Sequence, residues 1–379
     1  MHNLTISAQV QGLRNKKFSS VELVQHYLNR INKQQNLNAF IRTTPDYAIK
    51  MAQEADKSLA KGNAPLLCGI PMAHKDIFCT IDVPTTCASK MLESYISPFS
   101  ATIVNKLLAA QTIMLGKTNL DEFAMGASGE TSHFGATLNP WDIEHVPGGS
   151  SSGSAAAVAA RLVPFATTTD TGGSTRQPAA FCGLSGIKPT YGLVSRFGQI
   201  AYASSFDQAG IVTTNIPDLA LTIQAIIGYD PMDATSINKP APDLSKDLDK
   251  PIKSLKIGVP KCILNATISD DVKQSVLDVV DVYKDLGAEV IDIDLKLVQT
   301  WLATYQILAS AEASANLARY DGIRFGHSSK NAKNIAELIT NSRTEGFGEE
   351  VKNRILAGTY TLTNHNSENH YQQAQKVRN

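Results

Sequence analysis

The chain is poor in the features that mark several large classes of protein. Its five cysteines, Cys68, Cys79, Cys87, Cys182 and Cys262, are odd in number and include no C-x-x-C pair. That argues against a disulfide framework or a zinc ribbon and for thiols in a reducing compartment. An excess of either charge is missing too, because 35 Lys and Arg are matched by 35 Asp and Glu. A surface that grips nucleic acid through its phosphates needs a basic excess, so any nucleic acid is expected to be held by a partner. No apolar run approaches the roughly 18 residues needed to span a bilayer. The best, 155–166, is broken by Arg161 and Pro164, and the start, MHNLTISAQVQGLRNKK, lacks the apolar stretch of a secretory signal. The expectation is a cytoplasmic protein with no membrane partner. No cluster of His, Cys, Asp and Glu has metal-ligand spacing, so no metal site is expected.

What is present is enough apolar material, 43% of 379 residues, to build a large core without staples. Ser19 with Glu22 makes a capping box, and Val24, Leu28 and Ile31 recur at helical spacing. A second helix is predicted over about 47–60, stopped by Gly62. From 66 to about 210 short apolar runs alternate with Gly- and Ser-rich turns and Ala-rich segments. Strands are predicted at 66–73, 112–115 and 163–169, and helix at 107–110 and 155–160. Such alternation implies an α/β fold with a mixed, largely parallel central sheet covered by helices on both faces. The 231–251 stretch, rich in Pro, Asp and Lys, reads as a surface connection. Strands at 257–259 and 290–293 flank a helix over about 268–286, and 298–378 reads as mainly helical. The organisation expected is a helical region, 1–65, packing on an α/β core, 66–379.

Three segments carry the chemistry. G69-I-P-M-A-H-K-D76 runs from a strand into a loop, P147-G-G-S-S-S-G-S154 opens an Ala-rich helix, and T169-D-T-G-G-S-T-R176 follows a strand. Two glycines before Ser174 let consecutive N–H groups turn inward, as an oxyanion hole requires. Taken singly, each could be an ordinary turn with capping serines. Gly149 to Gly153 also has the spacing G-x-S-x-G of a nucleophile elbow, but an elbow follows a strand. N139-P-W-D142 through Pro147 cannot build one. No Walker lysine follows the Gly148–Gly153 loop either. His74 adjoins Lys75, yet in an extended chain neighbouring side chains point to opposite faces, so it is read as non-catalytic.

Together the three segments resemble the amidase signature family, and the similarity covers essentially the whole chain. The resemblance implies that Ser174 is the nucleophile, that Ser150, at a cis peptide bond, bridges, and that Lys75 is the base. It also implies an oxyanion hole from the backbone at Thr171, Gly172 and Gly173, with Ser151, Asp170 and Arg176 in support. Burial disfavours an ammonium, so Lys75 is expected to be neutral enough to take a proton through Ser150. One departure is Ser152-Gly153, where the family has a second glycine pair.

E122-F-A-M-G126, N139-P-W-D142, S204-S-F-D-Q208, Y320-D-G-I-R-F-G326 and S342-R-T-E-G-F-G348 resemble one branch of that family. It is formed by the glutaminase subunits of glutamyl-tRNA(Gln) amidotransferases. The branch implies release of ammonia from glutamine, a B subunit that amidates the misacylated tRNA and does most of the tRNA binding, and a small C subunit. ATP and magnesium would belong to the B subunit, leaving no cofactor in this chain. Tyr305 and Arg354 fall on positions that contact the glutamine, and a guanidinium fork suits its carboxylate. The alternatives are a free-standing hydrolase of small or aryl amides and a truncated, inactive scaffold. The resemblance stops at Q375-K-V-R378, where the family pattern continues with another acidic substrate contact and further strands. A truncated form or a natively short copy would both give this.

Overall fold

The computed structural model of the chain describes every residue but Asp247, Ser254 and Asn265, and every side chain of those described except Ile263 and Leu264. At the N-terminus, α1 (Ile6–Arg14) and α2 (Ser20–Lys33) lead through β1 (Phe40–Thr43) into α3 (Pro45–Ala60). The capping box is made: Ser19 Oγ accepts the Glu22 N–H at 3.0 Å, and the Glu22 carboxylate accepts the Ser19 N–H at 2.7 Å. Leu23, Val24, Tyr27, Leu28 and Ile31 form the buried face of α2. Gly62, in the left-handed region at φ +83°, follows the end of α3, where a side chain would be strained.

The core continues with β2 (Pro71–Lys75), α4 (Thr102–Ala109), β3 (Ile113–Thr118), α5 (Ser152–Ala159) and β4 (Phe165–Asp170). It closes with α6 (Arg176–Phe181), β5 (Ser185–Ile187), β6 (Gln208–Thr213) and α7 (Ile216–Gln224). One six-stranded sheet has the order β1-β3-β2-β4-β6-β5. It is parallel through β3, β2 and β4 and antiparallel toward both edges. Helices flank it: α3 packs on β3, α2 on β2 and β3, α5 on β4, and α7 on β5 and β6. Because β2 and β4 are parallel neighbours, Lys75 and Asp170 end their strands at the same sheet edge, where a site in such a fold belongs. Residues 139–147, before the Gly/Ser loop, carry no strand.

Every residue of β2, β3, β4 and β6 is buried, so their polar members need partners inside. Lys117 on β3 pairs with Asp76 at 2.9 Å and donates to Phe78 O at 3.0 Å. Thr86 satisfies the other Asp76 oxygen through its N–H at 2.9 Å and its hydroxyl. A fully buried ion pair therefore braces the turn directly after Lys75.

The predicted connection at 231–251 carries no helix or strand among its described residues; Asp247 lies outside them. Beyond it, β7 (Lys256–Pro260), a short α8 (Lys261–Leu264), α9 (Asp270–Asp285) and β8 (Glu289–Ile293) form a unit around a separate parallel strand pair. The helical region then supplies α10 (Val298–Asn316), α11 (Ile335–Gly346) and α12 (Glu349–Thr361), with helical turns continuing to Arg378. α12 crosses α10 closely because Gly358 lies against the Ser310 carbonyl, an approach any Cβ would block.

Candidate active site

Lys75, at the end of β2, is completely buried. Its Nζ lies 2.8 Å from Ser150 Oγ, 2.9 Å from Ser151 Oγ and 2.7 Å from Thr169 Oγ1. The side chains within hydrogen-bond reach of the amine are thus hydroxyls, with no carboxylate among them. The Ser151 hydroxyl is already spent: it donates to Thr169 O at 3.2 Å and accepts the Thr169 N–H at 3.3 Å, so toward Lys75 it can only accept. A neutral amine donates twice and accepts once, which fits donation to Ser151 and Thr169 and acceptance of the Ser150 proton. Burial pushes the Lys75 ammonium down to about 7, against attraction from Asp121, Asp170 and Asp207.

Ser150 and Ser151 come from the loop that opens α5, and the Gly149–Ser150 peptide bond is cis. Asp121 holds this loop from below: its N–H donates to Ser150 O at 3.1 Å. Its carboxylate takes the Gly129 N–H at 3.0 Å and the Thr131 hydroxyl at 2.8 Å.

The loop after β4 is tied down by Asp170. Its carboxylate accepts Arg176 Nε at 3.0 Å and Nη2 at 2.9 Å, together with the N–H groups of Gly173 at 2.8 Å and Thr175 at 3.1 Å. Burial works against the Asp170 charge, but Arg176 and these backbone donors outweigh it and hold the carboxyl below its ordinary value. The Gly173 N–H is therefore engaged, whereas those of Thr171, Gly172 and Ser174 have no hydrogen-bond partner among the described residues. Gly173 sits at φ +137°, which glycine alone adopts easily. Ser174 is 8% exposed. Its carbonyl accepts the Ser151 N–H at 3.2 Å, and its hydroxyl has no partner among the described residues. Of the expected relay, the Lys75–Ser150 leg is made and the Ser150–Ser174 leg is not; such contacts often tighten only around substrate.

Tyr305 on α10 and Arg354 on α12 form the opposite wall. A Cβ on Gly172 would come within 2.8 Å of the Tyr305 hydroxyl, so the ring lies directly on the loop. Arg354 Nε donates to Glu350 at 2.7 Å and Nη1 to the Tyr202 hydroxyl at 2.7 Å. Its Nη2 has no hydrogen-bond partner among the described residues. The guanidinium fork is thus partly occupied, with one end open.

Sequence reasoning assigned no role to Thr169, Asp121, Tyr202 or Asp207. Asp207 is 2% exposed and accepts the Thr171 hydroxyl at 2.6 Å. It stood inside the S204-S-F-D-Q208 motif, but nothing in its spacing pointed to Thr171. His74 lies apart, its Nδ1 3.2 Å from Thr167 Oγ1 and its ring lining a cavity of about 350 Å³ with Met72, Val104 and Met114. Burial pushes its imidazole down to about 3, so it stays neutral. Among the described residues no group of three or more His, Cys, Asp or Glu could hold a metal ion, all five cysteines are free, and no helix is long and apolar enough to cross a membrane.

A family model described as Amidase matches residues 22–379. The A subunit of the glutamyl-tRNA(Gln) amidotransferase of Legionella pneumophila (strain Corby) is 53% identical over 378 residues, covering 100% of this chain and 78% of that protein. Among solved structures, the corresponding protein from Thermotoga maritima is similar at 37% identity and a TM-score of 0.78, covering 100% of this chain and 75% of that one. The peptide amidase of Stenotrophomonas maltophilia is similar at 29% identity and a TM-score of 0.84, covering 99% and 78%. The matched span includes all three segments that meet at Lys75, and the chain belongs to the amidase family.

Proposed function

We propose that the chain is the glutaminase subunit of a glutamyl-tRNA(Gln) amidotransferase, with Ser174 as nucleophile, Ser150 as bridge and Lys75 as base. Neutral Lys75 draws the Ser150 proton, and Ser150 takes that of Ser174 as its Oγ attacks the glutamine amide carbon. The N–H groups of Thr171, Gly172 and Ser174 receive the developing oxyanion. Lys75, now protonated, returns the proton through Ser150 to the departing nitrogen, and ammonia leaves with glutamyl-Ser174 behind. Water, deprotonated by the same relay, then releases glutamate. Arg354 takes the substrate carboxylate through Nη2, and Tyr305 packs beside it.

The observation that carries the catalytic part is the all-hydroxyl surround of buried Lys75. The choice of glutamine rests on the 53% identity to an amidotransferase glutaminase chain along the whole of this one. In this reading a B subunit binds ATP, magnesium and most of the tRNA, and a C subunit completes the complex. The test is glutamate released from glutamine, with and without the B and C subunits, with Ser174→Ala as blank. Release that rises sharply with the partners supports the reading. Hydrolysis of simple amides without glutamate release would point instead to a free-standing amidase.

A further inference from the structure

The wall of the site contains a closed circuit of contacts around the oxyanion loop. Asp207, just before β6, uses one oxygen for the Thr171 hydroxyl at 2.6 Å. The other takes the N–H groups of Tyr202 at 2.9 Å and Ala203 at 3.1 Å. Among the described residues no cation makes an ion pair with it, so this buried carboxylate is held by hydrogen bonds. Tyr202, itself 2% exposed, carries the circuit on: its ring lies 5.5 Å under the Arg354 guanidinium carbon, and its hydroxyl accepts Arg354 Nη1 at 2.7 Å. The Tyr202 hydroxyl also meets that of Tyr305. Tyr305 lies on Gly172, next to Thr171, which completes the circuit. Arg354, with Nη2 open, is the corner where a substrate carboxylate would enter.

We infer that Asp207 and Tyr202 are positioning residues that couple recognition of the substrate's α-carboxylate at Arg354 to the geometry of the oxyanion loop, and so set the preference for an amino-acid amide over a plain amide. The identity of that head group rests on the glutaminase reading above. A carboxylate on Arg354 orders the guanidinium, which fixes the Tyr202 hydroxyl and the Tyr305 ring, and both routes end on the Thr171–Gly172 backbone. A plain amide fills the oxyanion hole without engaging that corner.

The test compares glutamine with butyramide, which has neither the α-carboxylate nor the α-amine, in the complex with its partner subunits. Tyr202→Phe keeps the ring and removes only the hydroxyl. It is expected to lower kcat/KM for glutamine roughly 10-fold more than for butyramide, the scale of one hydrogen bond to a charged group. Asp207→Asn keeps the shape but places an amide hydrogen against either Thr171 or the 202–203 backbone. It should lower kcat for both substrates by about 10²-fold, as loss of oxyanion-hole order does, and reduce the preference for glutamine. In the double variant the second change should cost glutamine turnover far less than it does alone, because both act through one circuit. Equal effects of Tyr202→Phe on the two substrates, or strictly additive losses, would overturn the coupling. If the wild-type complex hydrolyses butyramide but releases no glutamate, the glutaminase reading fails separately. The circuit is then judged on butyramide alone, where Asp207→Asn and Thr171→Val must be non-additive in kcat.

Discussion

The pH dependence of turnover follows from where Lys75 sits. A lysine whose ammonium ordinarily titrates at 10.5 is pushed down to about 7 by burial. That difference corresponds to about 5 kcal/mol against charging it in place. Only the neutral amine can take the Ser150 proton, so kcat/KM should rise with pH and level off above about 8. At pH 6 roughly a tenth of the plateau rate should remain, and each further pH unit down should cost about another tenfold. Below about pH 6 the fall should steepen, because burial pushes Asp207 up to about 6 and its protonation weakens the hold on Thr171. The same shift acts on stability. The unfolded chain binds the extra proton between about pH 7 and 10.5, so the Lys75 contribution to stability becomes more favourable as pH rises through that window. The assay is the initial rate of amide hydrolysis at low substrate from pH 5.5 to 9 at constant ionic strength. A flat profile, or an inflection only near 10, would refute a depressed Lys75 as the base.

Two further outcomes bear on the packing around the site. Gly172→Ala would drive a methyl into the Tyr305 ring, at 2.8 Å from its hydroxyl. It should cut kcat by about 10²-fold without lowering the melting temperature much; unaltered kinetics would show that Tyr305 does not rest on the loop. Lys117→Met leaves Asp76 buried and unpaired beneath the catalytic strand, and should cost about 3–5 kcal/mol by thermal or urea unfolding. An unchanged melting temperature would mean that the pair is not a brace.

The helices and strands that follow periodicity were readable from sequence: the capping box of α2, the Gly62 stop, and the β7–α9–β8 unit all stand where the pattern puts them. The sheet strands were displaced in an instructive way. The apolar run at 66–73 suggested a strand there, but β2 is Pro71–Lys75, because the strand ends in a buried lysine that hydropathy reads as a loop. Likewise β3 runs past the apolar 112–115 through Gly116, Lys117 and Thr118, since Asp76 compensates the lysine. β1, β5 and β6 gave no sequence signal; each is short and stabilised by antiparallel pairing to residues far along the chain. In the site, residues in motif segments could be named, whereas Tyr202 and Asp207 could not. Their partners, Arg354 and Thr171, lie 152 and 36 positions away, and no local spacing reports such contacts.

The central claim is that Ser174 attacks and that Lys75, through Ser150, makes it able to. An electrophilic serine-hydrolase probe, with the modified residue mapped by mass spectrometry and the labelling rate compared between wild type and Lys75→Ala, tests this most directly. The expected result is one labelled residue, Ser174, and a rate lower by about 10²-fold or more in the variant. Labelling at another serine, or an equal rate without the lysine, would contradict it.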